Sequence, residues 1–174
     1  INLPINHLIK KENSLIILIG KTFGHLNQSV FFEEIYSLLD GPPPEINFVN
    51  EKNNGDAVLK LINEKLILSA HDISSGGAIV ALAEMSMMSD YGIKIEKPKK
   101  LTNLFEYFFG EDQGRYLVEV EKSNLEKVLK TLKENNIFNE IIGVTQKNNF
   151  ELVGEFKINI NDLNNANNRW YYNY

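Results

Sequence analysis

Cysteine is absent from these 174 residues, which excludes disulfide bridges and thiolate metal sites. No charged, apolar and small leader precedes Ile1, so the expected compartment is the cytoplasm. Long apolar runs are missing too: the longest, Ser14 to Gly20, falls far short of the roughly 20 residues that cross a bilayer, and no membrane contact is expected. Positive charge is in deficit. With 18 Lys and Arg against 23 Asp and Glu, and the lysines scattered among acids, the surface repels phosphate backbones and nucleic acid is not an expected partner. The short run Lys97-Pro98-Lys99-Lys100 reads as a solvated turn. Neither a Ser/Gly linker nor a repeat of fixed period divides the chain, so residues 1–174 are expected to share one core. The chain opens on Ile1, and its first dozen residues read as mid-protein text, so a piece of a longer chain is expected.

What is present is an alternation of strand and helix signals. Ser14-Leu15-Ile16-Ile17-Leu18-Ile19-Gly20 is a continuous apolar run closed by glycine, the pattern of a strand covered on both faces. Residues 28–39 place Val30, Phe31, Ile35, Leu38 and Leu39 at helical spacing, with Gly41 and three prolines as a stop, and predict an amphipathic helix. A helix is predicted over 54–64 and a second buried strand over 66–70. Helices over 77–89 and 101–109 flank a strand over 92–96. Residues 116–120, 123–132 and 137–144 then read as a βαβ unit. A hairpin around Gly154-Glu155 is expected to close the fold before a polar tail that carries Trp170, Tyr171 and Tyr172. The fold class that follows is α/β (α+β), a mixed sheet layered with helices.

Three segments could carry chemistry. In Ala70-His71-Asp72-Ile73-Ser74-Ser75-Gly76-Gly77-Ala78 a strand meets a helix through polar and glycine residues. There Ser74 or Ser75 can cap the helix, and the amides of Gly76 and Gly77 can approach a phosphate. The plainer reading is that the serines only cap, the glycines only allow close packing and His71 only bonds Asp72. The second segment, Phe109-Gly110-Glu111-Asp112-Gln113-Gly114-Arg115-Tyr116, puts two acids, an amide and a guanidinium in a glycine-framed loop. Arg115 can fork onto a phosphate or carboxylate, and Glu111 with Asp112 can neutralise it or hold a hard cation; equally, a buried ion pair can fix the loop. The third, Gly20-Lys21-Thr22-Phe23-Gly24-His25, lacks the spacing of a Walker loop. The two polar corners are expected to meet at one rim of the sheet, with the amides at Gly76 turned toward the loop that ends at Arg115. Met85, Met87 and Met88 read as packing residues. His7 and His25 are the only other histidines, too few for a His-Asp phosphohydrolase, and no Gly-x-Ser-x-Gly elbow offers a nucleophile.

His71-Asp72-Ile73-Ser74-Ser75-Gly76-Gly77, followed by Ala81-Leu82-Ala83-Glu84-Met85, resembles the C-terminal domain of the phosphoribosylformylglycinamidine synthase family (the formylglycinamide ribonucleotide amidotransferases). Gly110-Glu111-Asp112-Gln113-Gly114-Arg115 and Gly24-His25-Leu26-x-Gln28-Ser29 match the same family in order. Aminoimidazole ribonucleotide synthetase, selenophosphate synthetase and thiamine-monophosphate kinase share the fold with different helix-start motifs. The resemblance implies one domain, the last of its type, in a larger purine-biosynthetic ligase. That enzyme phosphorylates the amide oxygen of formylglycinamide ribonucleotide with ATP and Mg²⁺, and ammonia from a glutaminase subunit or domain then displaces the phosphate. It also implies that the catalytic histidine and most ATP and Mg²⁺ ligands lie in preceding domains, that this piece alone is inactive, and that it holds no catalytic residue and no metal set. His71, Asp72, Ser74, Ser75, Gly76, Gly77, Glu111, Gln113 and Arg115 would then be at most phosphate- or nucleotide-facing. Ser75 stands where the family commonly has Asp, which removes a carboxylate from any metal role. The alternatives are an auxiliary nucleotide site, or a purely structural interface domain of a related ATP-dependent synthetase.

Overall fold

The apolar run after Ser14 forms strand β1 (Leu15–Ile19), and its alternation divides two cores. Ile16 and Leu18 face one cluster, Ile17 and Ile19 the other, so the strand is buried on both faces, as a continuous apolar run requires. In the computed structural model, which describes residues 5–101 and 103–172, the order continues as α1 (Val30–Tyr36), α2 (Phe48–Asn63), β2 (Ser69–Asp72), α3 (Gly77–Ser86), β3 (Tyr91–Ile95), α4 (Leu104–Phe109) and β4 (Tyr116–Val120). A 3₁₀ turn precedes α5 (Leu125–Glu134), and β5 (Asn139–Lys147), β6 (Asn149–Leu152), β7 (Phe156–Asn159) and α6 (Ile160–Tyr172) complete the chain.

The strands form one mixed seven-stranded sheet in the order β2-β4-β1-β5-β3-β6-β7. Every neighbouring pair is antiparallel except β3 with β6. Ile79, Leu82 and Met85 of α3 and Phe108 of α4 cover one face. Val58 and Leu61 of α2 and Val128 and Leu132 of α5 cover the other. Burial of these side chains, at roughly 1.5–3 kcal/mol each, is what holds the layers together. Both β4 and β5 run antiparallel to β1, so they are parallel to each other with β1 between them: the βαβ unit exists, but split by the first strand of the chain.

Three expectations are corrected. The second strand is not 66–70. Leu66 and Ile67 are buried ahead of it, and the strand itself starts at Ser69 and takes in His71 and Asp72; among the described residues its strand partner is β4 alone, while Ala70 N donates to Asn6 O at 3.1 Å on the other side. Helix α2 begins six residues early because Asn47 caps it, its Oδ1 accepting from the amide of Asn50 at 3.0 Å. The polar tail is helix α6, anchored where Ile160 buries and Leu163 packs on the α3 side of the sheet. No helix among the described residues is long and apolar enough to cross a membrane.

Candidate functional site: a corner braced by its own carboxylates

The two polar corners do meet, and they hold each other. Glu111 Oε1 accepts from Gly76 N, at the start of α3, at 2.7 Å and from Val30 N, the first residue of α1, at 2.9 Å. A carboxylate of the chain therefore takes the amides that a bound anion would seek, with the positive ends of the helices behind them. Asp112 does the same for the loop after β1. Its Oδ2 accepts from Phe23 N and Gly24 N, each at 2.9 Å, and its Oδ1 from His25 N at 3.2 Å, so successive amides form a nest around one acid.

Arg115 locks this pair from below. Its Nε donates to Asp112 O at 3.1 Å, Nη1 to Thr22 Oγ1 at 3.1 Å and Nη2 to Gly110 O, while Nη2 lies 3.8 Å from the Asp112 carboxylate. The side chain is among the largest fully buried in the chain. That burial pulls the guanidinium below its ordinary pKa, and the facing Asp112 and Glu111 carboxylates work in the other direction. Asn54 of α2 closes the brace by donating from Nδ2 to Gly114 O at 2.8 Å. Sequence reading missed this residue, because one asparagine in an Asn-rich chain carries no signal of its own.

The helix start at residues 74–77 departs from the capping expectation. Gly76 is the N-cap, with φ +79° and no side-chain cap bond, and Ser74 and Ser75 are exposed. Gly77, at φ +72°, lies so close to α4 that a Cβ would come within 2.6 Å of Phe108 O, which is why the corner needs glycine there. Replacing both serines with alanine should change the unfolding free energy by under about 0.5 kcal/mol, because neither supplies the cap; chemical denaturation of the double variant checks this.

His71 joins strand to helix. Its Nε2 lies 3.0 Å from Glu84 Oε2 on α3, its ring meets His7 edge-on at 5.2 Å, and its buried Nδ1, 3.4 Å from Asp72 Oδ1, has no hydrogen-bond partner among the described residues. In the sequence Glu84 stands out only as part of a motif. The spacing from the strand end to the third turn of a helix does not announce a contact. Gln113 is exposed at the tip of its loop and donates weakly to Glu111 O at 3.3 Å.

Two clefts open beside the brace. One, of about 780 Å³, lies between α1, the start of α2 and the loop after β1, and includes Asp112, Gln113 and His25 in its wall. The other, of about 660 Å³, runs along Lys97 to Leu101 and the Tyr107 side of α4. Tyr107 donates its hydroxyl to Glu140 at 2.7 Å, and burial raises its pKa. Neither cleft is lined by residues 71–77. Among the described residues no group of three or more His, Asp or Glu converges as a metal site.

The family described as AIR synthase related protein, C-terminal domain, matches residues 11–154. The chain belongs to this family. Its matched part runs from just before β1 to the β6–β7 turn, and thus takes in the whole brace. Among relatives of this AIR synthase related domain, the phosphoribosylformylglycinamidine synthase subunit PurL of Pelagibacter ubique is 45% identical over 166 residues, which is 95% of this chain and 23% of the relative. The PurL subunit of Rhodopseudomonas palustris strain HaA2 is 37% identical over 165 residues, covering 95% of this chain and 22% of its own length. The chain thus spans about a quarter of the length of the curated relatives it matches. Of solved structures, Thermotoga maritima PurL complexed with FGAR superposes with a TM-score of 0.76 at 15% identity, over 92% of this chain and 29% of that one. The Escherichia coli hydrogenase maturation protein HypE superposes with a TM-score of 0.59, also at 15% identity, over 91% and 52%. These likenesses show that the mixed sheet and its helix layers are the fold of the family.

Proposed function

We propose that this chain is the last C-terminal-type domain of an ATP-dependent amidoligase of purine biosynthesis, which makes formylglycinamidine ribonucleotide, ADP and phosphate from formylglycinamide ribonucleotide, ammonia and ATP. The observation that carries the reading is the 45% identity to a PurL subunit across 95% of this chain. In that reaction the substrate amide oxygen takes the γ-phosphoryl group of ATP and ADP leaves. The ammonia nitrogen then bonds to the activated carbon, the carbon–oxygen bond breaks with loss of phosphate, and the nitrogen sheds its surplus proton. The ammonia comes from a glutaminase, as a subunit or a fused domain, and the setting is cytoplasmic.

Magnesium accompanies the ATP in this reading, but the residues of this corner do not fit it. Glu111 and Asp112 are committed to backbone amides, and Ser75 offers no carboxylate. The metal and ATP ligands belong to the preceding domains, and this chain's residues take no step in the chemistry. Their part is to hold a polar rim in place: His71, Asp72, Ser74, Ser75 and Gln113 present side chains at or near the surface, while Gly76, Gly77, Glu111 and Arg115 form the support beneath. The amides at Gly76 and Val30 are already taken by Glu111, which favours a bracing role for this corner over an auxiliary nucleotide site. The test is ADP release by the full-length protein. It should depend on formylglycinamide ribonucleotide and ammonium together, and the 174-residue chain alone should release none. ADP formation by the full-length protein that ignores the ribonucleotide, or turnover by the isolated chain, would overturn the reading.

A further inference from the structure

Eight of the sixteen large apolar side chains that stand exposed among the described residues fall between Val30 and Val49, a concentration that scattered surface apolarity does not produce. Ile35, Tyr36, Phe48 and Val49 are 64%, 61%, 77% and 68% exposed. Phe31 of α1 stacks on Phe105 of α4 at 5.4 Å and meets Phe109 at 4.6 Å, which anchors α1, and Phe32 of α1 lines the same 780 Å³ cleft as Pro44, Glu45 and Asn47 before α2, which brings the two apolar runs beside each other. An amphipathic helix normally turns its apolar stripe to a core, yet of α1 only Phe31 is buried. The same stretch carries Glu33, Glu34, Asp40 and Glu45 and not one Lys or Arg.

We propose that this face seats another domain of the same polypeptide, one that presents an apolar surface rimmed by Lys and Arg. The inference rests on reading the chain as one domain of a longer synthetase, and its matched PurL relatives leave more than three quarters of their length for such a domain. A second copy of this chain is a poorer occupant: a two-fold interface pairs a patch with itself, and the acids of this stretch would meet acids with no base among them to answer.

Side-chain footprinting of the full-length protein, each residue referred to its own reactivity in urea, tests this. Tyr36 and Phe48 should be at least about tenfold protected, while Met88, 86% exposed and remote in sequence, should stay near its unfolded reactivity. Reversing the rim with Glu33→Lys and Glu34→Lys should return Tyr36 toward the unfolded level, and Met88→Lys should leave it protected. Tyr36 and Phe48 as reactive as Met88 would overturn the proposal. So would protection that fades on dilution, which marks a second copy, or protection that appears only with an added glutaminase. A full-length product no larger than this domain, read from its mass alone, would remove the parent reading together with the proposal.

Discussion

Arg115→Ala should lower the unfolding free energy by about 3–5 kcal/mol, the usual cost of removing one partner from a buried ion pair. The guanidinium satisfies Asp112 O, Gly110 O and Thr22 Oγ1 and faces the Asp112 carboxylate, so its loss leaves buried acceptors unmet and a buried acid without its counter-charge. Arg115→Lys keeps the charge but cannot reproduce the fork, and should recover only part of the loss. Urea unfolding reads the effect as a lower midpoint at unchanged slope. Removing Asp112 as well should not restore stability, because that carboxylate also holds the amides of Phe23, Gly24 and His25, and those donors would be orphaned. A double variant close to wild type would show that the ion pair, and not the nest, is the only thing the acid serves. A stability change under about 1 kcal/mol for Arg115→Ala would show that the brace is not what holds the corner.

The second large effect belongs to an acid outside the corner. Glu119 of β4 is fully buried, and its carboxylate accepts from Lys10 N at 2.8 Å, Lys11 N at 3.0 Å and Ser69 Oγ at 3.1 Å, which ties the segment before β1 to the edge strand β2. Unmaking a hydrogen bond to a buried donor costs about 1–3 kcal/mol each. Lys10 and Lys11 are exposed and their amides can turn partly to water, so Glu119→Ala should cost about 3 kcal/mol and not the full sum. Burial raises the pKa of Glu119 above its ordinary 4.5, against the lowering pull of these bonds. The folded state thus holds the proton more tightly than the unfolded chain. The stabilisation from this linkage is fully present below the ordinary value and is lost as pH rises through the raised one. Glu119→Gln cannot titrate, so the stability of wild type relative to this variant should fall as pH climbs through that window. A rise over the same window, in denaturant midpoints taken at successive pH values, would reverse the assigned direction.

How much of this was legible in advance varies by residue. The helix start at Gly76-Gly77 could be read from two glycines after a strand, because positive φ and close helix approach are local demands. The loop from Glu111 to Arg115 could be read as special from its charges, and a buried ion pair was one of its two open readings. What it touches could not be read: Glu111 reaches Val30 across 81 positions and Asp112 reaches Gly24 across 88. The helix expected over residues 28–39 does form, as α1 over Val30–Tyr36, with Leu38 and Leu39 beyond its end. The spacing promised an apolar face, and the face exists, but it lies outside the core of this chain.

By itself the sequence determined the order of elements from β1 to the β6–β7 hairpin, though not helix α6, together with the doubly covered first strand and the motifs that mark the family, because periodicity, caps and turn residues act over a few positions. Only the tertiary structure decided that β1 enters between β4 and β5, that His71 sits on an edge strand against Glu84, and that the amides of the polar corner are taken by the chain's own carboxylates. Those outcomes depend on which distant donors and acceptors are desolvated together, and strand pairing across the sheet settles that where no local pattern can.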